Sequence, residues 1–593
     1  MDRRSIPPEP RLSDGFPRSF GGLGARDRSH VLTVALEDYF HAAPVRPWIR
    51  ENTWYRFEDR LAESTRTTLD LLQRCDVQAT FFVTPSIAKA APGLVREIAA
   101  QGHEIATAGH QASTLNSVDP NRFRASAIQC REQLEQVVGR RILGYRVSGG
   151  WLSAADLWIL DLLAEAGYRY DSSIRPVLFS NPAQSWHRTR REESDALQPF
   201  YEVQVSSIGI CGVHVPIGGG GPFRHYPQSL TRRAVAHWDR HRSQPYVMHL
   251  RTWELDADQP RISVASPIAR FRQYRNLRHM PRLLEEVLST YRFTGVAEHL
   301  GLDLALVSVP VGSGESPKSA STPSEPVPAP IHTIGSPLST TPTPPMWVSV
   351  VIPCYNESLS LRYLSNTLQD LAETHGSHFA FTFVFVDDRS TDDTWDLLQT
   401  LFGQRADCMV FRHDYNRGVA AAIQTGIRHA PDDVVCSIDC DCTYDPNELC
   451  RMIPLLTDGV DVVTASPYHP AGAVRNVPAW RLFLSRSLSR LYRLVFRQKL
   501  HTYTSCFRVY RKRSVEAVDI RLPGFLGISE LLARIDMAGG RIVEYPTTLE
   551  VRVLGFSKMR VARTIVGHLG FFARLLRRRL FSRGRLEAAE LEV

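Results

Sequence analysis

The sequence predicts an α/β protein in two halves, on three observations. Short apolar runs alternate with amphipathic stretches throughout, the runs read as buried strands, and a Pro/Ser/Thr-rich stretch divides the chain. In the first half VLTVAL is followed by the helix-like RLAESTRTTLDLLQRC, then ATFFVTP, then the helical SIAKAAPGLVREIAAQG, then HEIATAG. Strand-helix units of this kind build a mainly parallel sheet or barrel. In the second half VSVVIP, FTFVFVDD, CMVFRHD and DVVCSIDCD are the strands, separated by helical segments, which is the pattern of a doubly wound sheet.

At 593 residues the chain exceeds one hydrophobic core, and 43% hydrophobic with 22% charged residues is ordinary for a globular protein. The run SGESPKSASTPSEPVPAPIHTIGSPLSTTPTPPM cannot build a core and reads as a linker. The expected organisation is a tail over 1–28, a first domain over 29–310, the linker over 311–346, a second domain over 347–559 and a basic amphipathic segment over 560–593.

The formal charge of +8 is concentrated near the C-terminus, in Arg574, Arg577, Arg578, Arg579, Arg583 and Arg585. Such a block suits an anionic membrane surface or a solvated helix face, and no aromatic-basic module points to nucleic acid. The stretch MRVARTIVGHLGFFARLLRRRLF interleaves Ile565, Val566, Leu569, Phe571, Phe572, Leu575 and Leu576 with arginines. It reads equally as an interfacial helix and as a core helix with a charged back. MDRRSIPPEPRLSDGFPRSF has no apolar h-region, and no stretch approaches 18 uninterrupted apolar residues, so neither a secretory signal nor a spanning helix is expected. The ten cysteines lack disulfide-framework spacing, which implies a reducing compartment, the cytoplasm. Cys436, Cys440 and Cys442 lack the second Cys or His pair of a zinc site.

In open parallel sheets ligands bind at the carboxyl ends of the strands. Four such ends carry polar residues: Pro353, Tyr355, Asn356 and Glu357; Asp387 and Asp388; Asn416 with Gly418; and Asp439 with Asp441. A nucleotide diphosphate-sugar needs a divalent cation on its diphosphate, and hard cations prefer carboxylates, so Asp439 and Asp441 are the candidate ligands for Mg²⁺ or Mn²⁺. Glu357 and Asp388 are the candidates for ribose and base.

These four ends, in this order, resemble the family 2 glycosyltransferases. VRNVPAWRLFLSRSLSRLYR, HTYTSCFRVYRKRSV, GFLGISELLARIDMAGGRIVEYP and VRVLGFSKM narrow the resemblance to the polyprenyl (dolichyl)-phosphate mannosyltransferase type. The resemblance implies a nucleotide pocket of Pro353, Tyr355, Glu357, Val386 and Asp388, a metal site of Asp439 and Asp441, and a lipid-phosphate grip of Arg481, Ser485 and Arg552. Thr443 stands where the family has a metal-holding glutamine, and Ser466-Pro467-Tyr468 replaces the frequent Gly-Ser-Arg-Tyr. Lys558 in GFSK is placed to neutralise donor phosphate. Glu530 in GISELL is either a general base at a helix start or a structural carboxylate paired with Arg508 or Arg534.

In the first half TVALEDYFH, ATFFV, GHEIATAGH, GYRVSGGW, AEAGYRYDSSI, PIGGGGPFR and HLRTWELDADQPRI resemble the polysaccharide deacetylases of the NodB-homology type. That implies a distorted (β/α) barrel and a metal held by an Asp and two His. The family's first Asp is Ala35 here, its metal histidines fall on Ala108 and Ala112, the proline of Arg-x-Pro on Ser148, and its late histidine on Arg251; Glu37, Asp38 and Arg146 remain. Without imidazoles, base or acid, the resemblance implies a barrel that has lost deacetylation and serves as scaffold or glycan binder. His103, His110 and His249 lie near the lost positions but shifted in register, and an odd shift in a strand turns a side chain to the other face.

The expected function is a cytoplasmic, peripherally membrane-bound hexosyltransferase that inverts at the anomeric carbon and carries sugar from a nucleotide donor to a polyprenyl phosphate in envelope glycan assembly. A transferase with a sugar hydroxyl acceptor and Glu530 as base, a bifunctional deacetylase and transferase, and a non-catalytic carbohydrate-binding scaffold are the alternatives.

Overall fold

A computed structural model of the chain describes residues 28–111, 115, 118–152, 156–174, 187–188, 200–210, 213–305, 344–555 and 561–589. Contacts divide the chain into two units. The first takes the described residues up to Asp38, Leu61–Ala257 and those following from Arg275; the second takes Tyr39–Arg60, Asp258–Tyr274 and the described residues from 344 onward. Two segments that precede the expected boundary near residue 310 thus fold with the second unit.

The first unit is built on a nine-stranded sheet. Its strands run, in spatial order, Val247–Arg251, His30–Ala35, Thr80–Val83, Glu104–Gln111, Gly144–Ser148, Tyr170–Asp171, Phe200–Glu202 and His187–Arg188, with Phe293–Thr294 also paired to His30–Ala35. All ladders are parallel except that between Phe200–Glu202 and His187–Arg188. This is the curled parallel sheet of a distorted α/β barrel. His30–Ala35 is buried at every residue, as a strand covered on both faces must be. The helix read from RLAESTRTTLDLLQRC forms at Leu61–Arg74. The helix read from SIAKAAPGLVREIAAQG is two, Pro85–Ala90 and Pro92–Ala100, because Pro92 has no N–H to continue the first and takes the opening turn of the second.

The second unit is a seven-stranded doubly wound sheet in the order Cys408–Arg412, Phe379–Asp387, Met346–Cys354, Val434–Ser437, Arg508–Arg511, Val462–Ser466 and Ile542–Pro546. Arg508–Arg511 runs antiparallel to both its neighbours, and the other ladders are parallel. The order reverses between Met346–Cys354 and Val434–Ser437, whose register pairs Ser349 with Val435 and Val351 with Ser437. That reversal opens a crevice beyond the carboxyl ends of two adjacent strands, where ligands of such sheets bind.

Helices Ala479–Val495 and Phe525–Met537 pack on this sheet together with the C-terminal helix Val561–Ala589. One stripe of that last helix is core, as the core-helix reading expects. Phe571 and Leu575 are buried beside Tyr492, whereas Val566 and Leu569 are 69% and 48% exposed. Arg579 donates to the carbonyls of Leu494 and Phe496, closing the end of Ala479–Val495. Among the described residues no helix is long and apolar enough to cross a membrane.

Candidate active site

The two strand ends at the crevice bring the acids together. Val434–Ser437 continues through Ile438, whose N–H donates to the Val351 carbonyl, and then delivers Asp439 and Asp441. Met346–Cys354 delivers Tyr355, Asn356 and Glu357. Asn356 sits at φ 53°, a left-handed turn that Asn tolerates, and its side chain accepts from the Thr391 N–H at 2.7 Å. Glu357 N–H donates to Thr394 Oγ1 at 2.7 Å, so the loop is tied to the strand end of Asp387 and Asp388.

Arg552 stands between the carboxylates. Its Nε donates to Asp441 Oδ2 at 2.7 Å, its Nη2 ion-pairs with the same oxygen at 2.7 Å, and its Nη1 donates to Glu357 Oε2 at 3.0 Å. Asp439 is half-buried in the same cluster, and its carboxyl is pushed up to about 7 by desolvation and by the adjacent Asp441 charge, against the pull of Arg552. Among the described residues three carboxylates meet one guanidinium, so carboxylate is in formal excess in the crevice. A hard divalent cation fits that excess, with the remaining coordination open to diphosphate and water. No group of three metal-ligating side chains occurs among the described residues.

Asp388 does something different from what its position at a strand end suggests. Its two oxygens accept from His413 Nδ1 at 2.8 Å, the Arg417 N–H at 2.8 Å and the Gly418 N–H at 2.7 Å, while Asn416 Nδ2 donates to its carbonyl at 3.2 Å. It therefore organises the 413–418 loop. Gly418 has φ 89°, and a Cβ there would lie 2.8 Å from the Gly524 backbone nitrogen, which is why NRG precedes the helix Val419–His429. Asp387 is buried against Arg412 Nε at 3.0 Å. Pro353 and Val386 are register partners on adjacent strands, below the loops.

The remaining candidates make other contacts. Arg481 and Ser485 share one face of Ala479–Val495, four residues apart. The Arg481 guanidinium lies 5.3 Å from the Trp480 ring centroid and its buried Nε has no hydrogen-bond partner. Arg552, expected with these two, binds Asp441 and Glu357. Glu530 is the sixth residue of Phe525–Met537 rather than at its start, and it binds Arg534. Thr443 donates its N–H to Asp441 Oδ1 at 3.0 Å. Lys558 and Ala112 lie outside the described residues.

In the first unit Ala35 pairs in register with Arg251, which ion-pairs with Glu37 at 3.5 Å, and Ala108 is buried in its strand. The three histidines do not converge. His103 accepts from the Ala79 N–H, His110 contacts the Tyr145 hydroxyl and His249 contacts Thr33 Oγ1. Burial lowers all three below the usual imidazole range. Arg146 is buried under Trp151, and burial lowers it to about 9.

His413 was missed by sequence reasoning. CMVFRHD reads as strand throughout, but the strand ends at Arg412, which puts His413 at a carboxyl end, where ligands of such sheets bind.

Residues 349–519 match glycosyl transferase family 2, residues 50–170 match polysaccharide deacetylase, and residues 172–301 match a domain of unknown function (DUF3473). The chain is similar to a dolichol-phosphate mannosyltransferase of Pyrococcus furiosus, 30% identical over 238 residues that make up 39% of this chain and 64% of the relative. It thus spans less than two thirds of that relative's length. It is also similar to a polyprenol monophosphomannose synthase of Mycolicibacterium smegmatis, 30% identical over 218 residues, 35% of this chain and 80% of the relative. Among solved structures it is similar to a mannosyltransferase from Pyrobaculum calidifontis in complex with GDP-mannose and Mn²⁺, at TM-score 0.30 and 19% identity, covering 40% of this chain and 68% of that one.

The switch point of the doubly wound sheet, where the acids gather, lies within the stretch that the glycosyl transferase family 2 model matches. The chain belongs to glycosyl transferase family 2, with polyprenyl-phosphate mannosyltransferases among its relatives, and carries a polysaccharide deacetylase domain in its first half.

Proposed function

We propose that the chain transfers a hexose, with inversion, from a nucleotide sugar to a polyprenyl phosphate at a membrane surface. The observation that carries this reading is the crevice cluster of Asp439, Asp441, Glu357 and Arg552 at the switch point of the sheet. Asp439 and Asp441 would hold Mg²⁺ or Mn²⁺, which supplies Lewis-acid stabilisation of the departing diphosphate. Arg552 holds Asp441 and Glu357 in place through two hydrogen bonds and an ion pair. Pro353, Tyr355 and Val386 line the nucleotide side. Arg481, with an unpartnered Nε, and Ser485 are the groups that would orient the acceptor phosphate. An acceptor phosphate oxygen attacks the anomeric carbon as its bond to the diphosphate breaks.

A phosphate acceptor is already an anion and needs no base, and this suits the chain. The one base candidate, Glu530, has both oxygens engaged by Arg534 and by the Arg521 and Leu522 N–H groups. The exposed Trp480, Phe483, Val566 and Leu569, with Arg574, Arg577 and Arg578 nearby in sequence, form an amphipathic surface suited to the anionic cytoplasmic leaflet. The first unit, with Ala35, Ala108 and Arg251 at the ligand and acid positions, serves as scaffold or glycan binder.

The test is incubation of the full chain with Mn²⁺ or Mg²⁺, a panel of nucleotide sugars and undecaprenyl or dolichyl phosphate. Lipid-linked hexose is the expected product. Transfer to sugar hydroxyls but to no lipid phosphate would defeat the acceptor assignment, and zinc-dependent acetate release from N-acetylated glycans would defeat the loss of deacetylation.

A further inference from the structure

Two segments of the second unit come from positions far upstream of its sheet. Residues 50–170 and 172–301 are matched to the deacetylase and the domain of unknown function, yet Tyr39–Arg60 and Asp258–Tyr274 fold with the transferase sheet. They are tied to each other where Gln273 Nε2 donates to the Tyr39 carbonyl at 3.2 Å. What they hold is specific.

The first segment grips the loop that follows the aspartates. Arg56, only 3% exposed, donates from Nη2 to Asp445 Oδ1 at 2.6 Å. Asp445 closes the run Asp439-Cys440-Asp441-Cys442-Thr443-Tyr444-Asp445, and the same oxygen caps the turn Pro446–Glu448 by accepting from the Asn447 N–H. Arg56 is fixed in turn: Asn366 Nδ2 donates to the Arg56 and Phe57 carbonyls at 3.2 and 3.1 Å, and the Phe57 ring packs edge-on against Tyr363.

The two segments together grip the stretch that carries Arg552. Arg50 pairs with Glu550 at 3.0 Å, two residues before Arg552. Ser263 donates its N–H to the Val553 carbonyl at 2.7 Å and its hydroxyl to the Gly555 carbonyl at 2.5 Å, and Ile262 forms an antiparallel bridge with Leu554. Arg552 is thus held on both flanks. The two gripped stretches are also joined to each other, because the Glu550 N–H donates to the Thr443 carbonyl at 2.9 Å.

We infer that Tyr39–Arg60 and Asp258–Tyr274 are a working part of the transferase, a clamp in which Arg56 and Ser263 are positioning residues that fix Asp441 against Arg552. The inference rests on the transferase reading of the acid cluster. Its physical basis is that a cluster of three carboxylates and a guanidinium holds a productive geometry only if its loops cannot relax. A misplacement of about 1 Å at such a site costs on the order of 100-fold in rate.

The test uses the full chain with Arg56→Ala, Arg56→Lys, Ser263→Pro and Ser263→Ala. Three quantities are read: hydrogen exchange over 439–445 and 549–555, affinity for Mn²⁺ with UDP or GDP, and kcat and KM for sugar transfer. Arg56→Ala is expected to speed exchange over 439–445 while the rest of the chain keeps its protection, to weaken Mn²⁺-nucleotide binding about fivefold, and to lower kcat about tenfold or more with KM changed less than about threefold. Arg56→Lys, which keeps the charge, should recover most of each loss. Ser263→Pro removes both donors and should act the same way over 549–555, with Ser263→Ala milder. Exchange and affinity both unchanged in Arg56→Ala and Ser263→Pro overturn the inference, as does faster exchange with wild-type affinity and kcat, since the clamp would then be structural only. If the wild type transfers no sugar to any acceptor, the transferase reading fails, while exchange and affinity still decide the clamp.

Discussion

Arg534 holds Glu530 with two donors on one oxygen, Nε at 3.0 Å and Nη2 at 2.7 Å, while the other oxygen accepts from the Arg521 and Leu522 backbone. The carboxylate is 6% exposed and fastens the 519–522 connection to the helix Phe525–Met537. A carboxylate satisfied in this way is structural. Glu530→Gln should therefore lower transfer less than about tenfold while destabilising the chain by about 1 to 3 kcal/mol, because an amide cannot accept four bonds. Steady-state kinetics beside urea unfolding would check it, and a loss above roughly 100-fold with unchanged stability would restore Glu530 as a base.

Asp441 is placed to carry the opposite signature. Its two oxygens face Arg552 and the Thr443 N–H, so Asp441→Asn keeps the shape of the site but removes a charge. Transfer should fall by about 100-fold or more, and Mn²⁺ should no longer be retained with UDP or GDP. Titration calorimetry with Mn²⁺ and nucleotide is the direct measurement. A variant that binds both as the wild type does would remove Asp441 from the metal site.

Trp480 and Phe483, 53% and 68% exposed, open the helix Ala479–Val495 that also carries Arg481 and Ser485. If that helix lies at a lipid surface, burying each ring is worth about 1.5 to 3 kcal/mol, so Trp480→Ala with Phe483→Ala should weaken vesicle binding by at least tenfold. Transfer to a short, water-soluble polyprenyl phosphate should change little. Sedimentation with vesicles containing phosphatidylglycerol would decide, and undiminished binding would move the membrane contact elsewhere.

The parts of this site that the sequence made legible are those encoded over a few residues. A buried strand run followed by Asp-Cys-Asp announces both the element and its carboxyl end, and Pro353 to Glu357 does the same on the neighbouring strand. Glu530 and Arg534 are four apart on a helix, so their pairing follows from spacing alone. What stayed hidden is long-range. Arg56 meets Asp445 across 389 residues and Ser263 meets Gly555 across 292, and neither sits in a motif that names its partner. The role of Asp388 was hidden for a different reason. An acid at a strand end satisfies the ligand rule, and only the positions of His413, Arg417 and Gly418 show that its oxygens serve the fold.

The C-terminal helix offers a pH test of how the second unit is closed. His568 is 3% exposed and its Nδ1 lies 2.7 Å from the Tyr492 hydroxyl, which joins Val561–Ala589 to Ala479–Val495. Burial lowers its pKa from 6.5 to about 4. The unfolded chain therefore takes up a proton near pH 6.5 that the folded chain refuses until about pH 4. Its contribution to stability is fully present above pH 6.5 and is lost as pH falls through that window. By pH 5 the loss should be about 2 kcal/mol. Urea unfolding of the wild type against His568→Gln between pH 7 and 4 isolates this term, since other titrating groups act on both proteins. The stability difference should shift steadily in favour of the variant as pH falls, and a difference constant within about 0.5 kcal/mol would show that His568 is not held neutral in the folded state.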